Sequence, residues 1–299
     1  MGEWFIVTER CATIRMLARE SLEGKWKIGF VGVMICNLIV SVPSLVLLRA
    51  FGEDGVFPVL AYYILVSGPV QLGLSIFVLT ILRNREPRTT QVFYGFENFG
   101  RALGLSLMVS LMVAAWSLIS FPALMASAFF VYADMWIASM FLLPLVFVSL
   151  IPAITALIRY SQAFFVLADN HGAGIFECIN RSKQLMSGNK GKYFLLSLSF
   201  IGWALLAGLP AGIAEVAFPA AGADSIFGMI MLSIIPMLGV YVFWLYVYSS
   251  LAVFYDMASG NLRPGFVQAT VEIVSENRIY PQEEGRVSLH KDEASNRRE

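Results

Sequence analysis

Long apolar runs separated by short polar stretches dominate this chain. Six stand out: Ile28–Leu48, Val56–Leu82, Ala102–Phe130, Trp136–Ile158, Tyr193–Ala221 and Ile226–Phe254. A helix of roughly 20 apolar residues crosses a bilayer, and each run is long enough. The pattern predicts an all-α polytopic membrane protein with six transmembrane helices. It divides the chain into an amphipathic N-terminal helix (residues 1–27), a six-span domain (28–260) and a polar tail (261–299) that cannot bury a core and reads as disordered.

Two polar segments carry a helical period of their own. Ahead of the first run, Arg15, Arg19 and Glu23 recur every fourth residue, with Ile14, Leu17 and Ala18 on the opposite face. Between the fourth and fifth runs, Ile175, Phe176, Ile179 and Met186 mark one face, and Arg181, Lys183 and Gln184 another. A basic amphipathic helix of this kind is expected to lie in the interface plane, apolar side towards lipid. The fourth span is expected to continue past Arg159 and to break near Asp169-Asn170-His171-Gly172. Ser21–Lys27 before the first run and Leu185–Lys192 before the fifth share a glycine and a pair of basic residues, and Phe93–Arg101 is a looser version. Three parallel repeats and convergence on one way of entering a membrane both explain this likeness.

Charge sets the orientation. Of the 21 Lys and Arg residues, only Arg49 falls in a loop on the far side of the odd-numbered runs. The rest precede the first run, follow the even-numbered ones, or lie in the tail. By the positive-inside rule both termini are expected to be cytoplasmic. The basic inner face would attract anionic headgroups by about 1 kcal/mol per cation near the surface. Charged residues make up only 14% of the chain, 58% is hydrophobic, and the net charge is zero, so nothing recruits nucleic acid. The first 27 residues are charged and mixed, and no cleavable signal peptide is expected.

Candidate chemistry is sparse. Cys11, Cys36 and Cys178 fit no zinc spacing and predict no disulfide, and His171 and His290 are isolated. No metal, cofactor or catalytic set is expected. The inner loops lack a phosphate-binding loop, and no span holds a charge at its centre. The intramembrane polar candidates are Asn37, Gln71 and, near the outer end of the fifth run, Glu215. Amides inside a bundle commonly hydrogen-bond between helices for about 0.6–2 kcal/mol. Every span also contains proline: Pro43, Pro69, Pro122, Pro144, Pro152, Pro210, Pro219 and Pro236. Such residues kink helices, and broken helices build transporter sites.

The stretch Tyr160–Trp203 carries a more specific signal. It holds Tyr160, Asp169-Asn170, Ser182-Lys183, Met186-Ser187-Gly188-Asn189-Lys190 and Trp203, and Phe254-Tyr255 ends the last run. These residues resemble the bacterial integral-membrane family called domain of unknown function nine-seven-five, and more distantly the membrane domain of glycerophosphodiester phosphodiesterases. The resemblance implies six spans and a cytoplasmic-membrane address, with no established activity. It offers Tyr160, Asp169, Asn170, Ser182, Met186, Gly188, Asn189, Lys190, Trp203 and Tyr255 as family-motif candidates. The expected function is a non-catalytic module whose partners are membrane lipids or another protein, bound through the basic inner face. The alternative is a small-solute or lipid transporter using proline-broken spans. An accessory role beside a phosphodiesterase rests on analogy.

Overall fold

The computed structural model describes residues 4–83, 85–170, 172–217 and 237–262. Among them the chain is helical, with no strand: α1 (Cys11–Ser21), α2 (Trp26–Phe51), α3 (Val56–Leu82), α4 (Tyr94–Glu97), α5 (Phe99–Ser117), α6 (Phe121–Tyr132), α7 (Trp136–Tyr160), α8 (Ala163–Asp169), α9 (Ile175–Leu185), α10 (Lys190–Leu198), α11 (Ile201–Ala217) and α12 (Leu238–Ala258). Six helical stretches are long and apolar enough to cross a membrane, and they coincide with the six runs of the sequence. Residues Met1–Gly260 form one compact unit. The disordered-tail reading falls on residues outside those described from 263 onward, as do Pro219, Pro236 and the start of the sixth run at Ile226.

α3 is the axis of this unit. Most of its second half is buried, from Gly68 through Ile81, while its first half presents Val56, Phe57, Leu60 and Leu65 outward. α2, α5, α8 and α12 pack around the buried half. So does the segment after α3, where a 3-10 turn (Thr89–Phe93) and α4 fold back along the helix. They reach Gly73, about 13 Å back from Leu82 at about 1.5 Å per residue. Glycine is required there. A Cβ on Gly73 would overlap the Val92 carbonyl oxygen, and one on Gly95 would overlap that of Pro69. Both obstacles are backbone, which cannot swing aside. Gly73→Ala is therefore expected to destabilise the protein by about 1–3 kcal/mol. An unchanged unfolding transition in detergent would refute the close approach.

Several expectations need correction. The third run is two helices, because the chain tightens into 3-10 bonds over Ser117–Phe121, where Ser120 Oγ donates to Ser117 O at 2.7 Å. Pro122, which has no N–H, then sits in the first turn of α6, where none is needed. The fifth run divides at Ser199-Phe200, where Ser199 Oγ donates to Leu196 O at 2.6 Å and the Arg15 guanidinium donates to Ser199 O at 3.4 Å. Among the described residues, five prolines lie inside unbroken helices. α2, α3, α7 and α11 run on through Pro43, Pro69, Pro144 with Pro152, and Pro210. The two breaks each carry a serine hydroxyl bonded to a carbonyl three residues back, although Ser149 makes the same bond inside the unbroken α7.

The amphipathic segments form as expected, but they pack on protein. In α1, Ile14, Leu17 and Ala18 are buried, and the helix lies against α12. In α9 the buried face is Cys178, Ile179, Ser182 and Leu185, set against α5, α7 and α8. Phe176, assigned to the apolar face from sequence, is 61% exposed. The apolar side of α9 thus completes a protein core and is not free to lie in lipid.

Candidate functional site

The ends of α3, α8 and α12 meet in a charged knot. Arg83 caps α3 and forks onto Asp256, with Nη2 at 2.8 Å from Oδ1 and Nε at 3.3 Å from Oδ2. Its Nη1 reaches Asp169 Oδ1 at 2.5 Å. The Tyr255 hydroxyl donates to Asp169 Oδ2 at 3.2 Å, and the Tyr255 ring stacks on Phe165 with centroids 5.7 Å apart. The two carboxylates differ in setting: the Asp256 side chain is 3% exposed and that of Asp169 30%. Burial pulls the Arg83 pKa down, and the hydrogen bonds to Asp256 and Asp169 more than reverse this, so the guanidinium stays charged. With both carboxylates engaged by one cation, the knot ties three helices together.

The family-motif residues divide into three groups. Asp169 and Tyr255 belong to the knot. Asn189, Gly188, Met186 and Ser182 hold the loop between α9 and α10. Asn189 is fully buried; its Oδ1 accepts the Val7 N–H at 2.8 Å, and its Nδ2 donates to Phe5 O at 2.9 Å and Leu185 O at 2.8 Å. Gly188 turns the chain at φ +83°, with Ile6 close by. Ser182 Oγ donates to Arg159 O at 2.8 Å, tying α9 to the end of α7. Tyr160 is buried under the Lys183 ammonium, 5.7 Å above its ring. Asn170 ends α8, its Oδ1 accepting the Gly172 N–H at 3.2 Å, and Lys190 opens α10. Trp203 stands apart on α11, 54% exposed. Most of the motif is thus scaffolding for this end of the bundle. Cys178, at the centre of α9, is pushed up to about 11 by burial and by Glu177, which keeps its thiol protonated and unreactive.

Two concave features remain. A groove of about 290 Å³ is lined by Trp203, Leu206 and Ala207 of α11, Gly239, Val242, Phe243 and Tyr246 of α12, Arg19 of α1 and Trp26 of α2. α11 and α12 approach closely there, since a Cβ on Gly239 would lie 3.2 Å from Ala207 O. The Arg19 guanidinium has no hydrogen-bond or ion-pair partner among the described residues. α1 is held in register beside the groove by Tyr246, whose hydroxyl donates to Arg15 O at 3.3 Å. The second feature is a cavity of about 420 Å³ between α2, α3 and α12, lined in part by Asn37 and Gln71. The structure therefore brings two of the three intramembrane polar candidates together. Glu215 lies on α11, and its side chain is outside the described residues. Sequence reasoning did not mark Arg83, Arg19 or Trp26 as site residues. Arg83 was one of four arginines in its loop, and only the fold shows which of them meets Asp256.

These features define a multi-pass helical membrane protein whose polar end is stitched together by ion pairs and backbone clasps. The chain belongs to the family described as protein of unknown function (DUF975), whose profile matches residues 9–261. No curated protein and no solved structure matches the chain, and the more distant likeness to phosphodiesterase membrane domains has no counterpart among these findings.

Proposed function

We propose that this protein is a non-catalytic module of the bacterial inner membrane, with both termini cytoplasmic, that seats an anionic lipid at its inner face. The groove beside Arg19 carries this reading. A cation without a partner among the described residues lines a largely apolar groove together with two indoles, Trp26 and Trp203, the side chains that favour the headgroup level of a bilayer. A phosphodiester at Arg19 would place its acyl chain along Leu206, Ala207 and Val242. The uneven placement of basic residues supports the same orientation. A docked protein partner is the competing use of this face.

The test uses the full-length protein in nanodiscs with spin-labelled phosphatidylglycerol and phosphatidylcholine as probes. A preference for phosphatidylglycerol is expected. Arg19→Gln should reduce it about fivefold, corresponding to about 1 kcal/mol for one interfacial cation. Trp203→Ala should weaken retention of both lipids. Equal immobilisation of the two lipids by the native protein would overturn the lipid reading and favour a protein partner.

A further inference from the structure

The cavity between α2, α3 and α12 has a chemistry unlike that of the inner face. Asn37 is near the middle of α2 and Gln71 near the middle of α3, so both amides lie at mid-bilayer depth. Among the described residues the Gln71 side chain has no hydrogen-bond partner, and Asn37 makes only a 3.3 Å bond from Nδ2 to Val33 O. The Tyr63 and Tyr248 hydroxyls, on the same wall, have none either. Unmatched amides are costly in hydrocarbon, where no bulk water replaces the missing bonds. Such groups, gathered around one space, call for an occupant that supplies the partners. Val33, Val40, Val70 and Leu74 supply an aliphatic part of the wall, Cys36, Ser67 and Trp244 complete it, and no described lining residue carries a charge. The volume, about 420 Å³, lies within the usual range for small-ligand sites. Two of the lining residues, Tyr63 and Trp244, are 53% and 44% exposed, on helices long and apolar enough to span a membrane, so the cavity is open at the surface of the bundle.

We propose that this cavity binds an uncharged amphiphile, its hydroxyl or amide head hydrogen-bonded to Asn37 and Gln71 and its aliphatic part against Val40 and Leu74. A charged head is disfavoured because the cavity offers it no counterion. The site is separate from the Arg19 groove and does not depend on the proposal made for it.

The experiment measures equilibrium binding of radiolabelled 1-monododecanoylglycerol to the full-length protein in phosphatidylcholine nanodiscs. Saturable binding is expected. Dodecanesulfonate, with the same chain length and a permanent anion, should compete at least about tenfold more weakly than unlabelled monododecanoylglycerol. The double variant Asn37→Leu, Gln71→Leu should lose at least about tenfold in affinity. Val40→Phe keeps both amides, fills the space from α2, and should abolish binding. Circular dichroism and gel filtration check that each variant folds, and a single folded variant is enough to decide. Absence of saturable binding, equal competition by the sulfonate, or retained binding in a folded variant would each overturn the proposal, leaving water as the occupant.

Discussion

Arg83→Met is expected to destabilise the protein by about 3–5 kcal/mol, the cost of leaving a buried carboxylate without its partner. Asp256 is the carboxylate in question: its side chain is 3% exposed, and the Arg83 fork supplies two of its hydrogen bonds. Asp169→Asn should cost far less, about 0–1 kcal/mol, because at 30% exposure water can replace much of what Arg83 provides. Arg83→Lys keeps the charge but loses the planar fork, and should fall between the two. Removing both partners, as in Arg83→Met with Asp256→Leu, should recover most of the loss, since a buried ion pair replaced by apolar groups is often neutral. Unfolding in mixed micelles, followed by tryptophan fluorescence, measures all four. A double variant no more stable than Arg83→Met would show that the knot does not act as a pair. The pH sign is also fixed. A raised arginine pKa contributes stability that is present below the already strongly basic unfolded value and is lost only as pH rises through the still higher folded one. Arg83 therefore introduces no pH dependence in the neutral range.

The fold was legible where hydrophobic length alone decides it. Six runs gave six candidate spans, and the 3.6-residue period placed α1 and α9 and even the buried face of α1. The helix breaks were not legible. Proline is the conspicuous residue, yet five described prolines lie inside continuous helices, while the helices divide at Ser117–Phe121 and Ser199-Phe200, where backbone bonds shorten to three residues and hydropathy shows no change. The surroundings of α9 were hidden for a related reason. An amphipathic period reports that one side is covered, and lipid and protein cover it equally well. Site residues followed the same division. Asn37 and Gln71 stand out because an amide in an apolar run is visible from composition. Arg83 and Arg19 do not, since their roles depend on pairings with, or the absence of partners from, elements more than a hundred residues away.

Asn189→Ala should cost about 2–3 kcal/mol, because it strips partners from buried backbone groups that have no substitute, each worth roughly 1–3 kcal/mol. The Val7 N–H loses its only acceptor among the described residues, and the Phe5 and Leu185 carbonyls lose a donor. The damage is directional. Residues 5–7 lie between this clasp and the bond from Phe5 N–H to Ala258 O. Freed at one end, the strap should exchange its Val7 amide roughly 30–100-fold faster, at about 1.4 kcal/mol per tenfold. Asn189→Asp retains the acceptor for Val7 and should protect that amide better than alanine does. Hydrogen exchange read by mass spectrometry over residues 4–10 makes the comparison, and unchanged protection in Asn189→Ala would show that the clasp does not hold the strap. The strap leads directly into α1, which carries Arg15 to the α10–α11 break and Arg19 to the groove. Loosening it should therefore also erode the preference for phosphatidylglycerol, although Asn189 itself is not among the residues lining the groove. A variant that frees the strap yet keeps the full preference would show that the packing of α1 on α12 and the Arg15 bond to Ser199 O hold α1 in place without the strap.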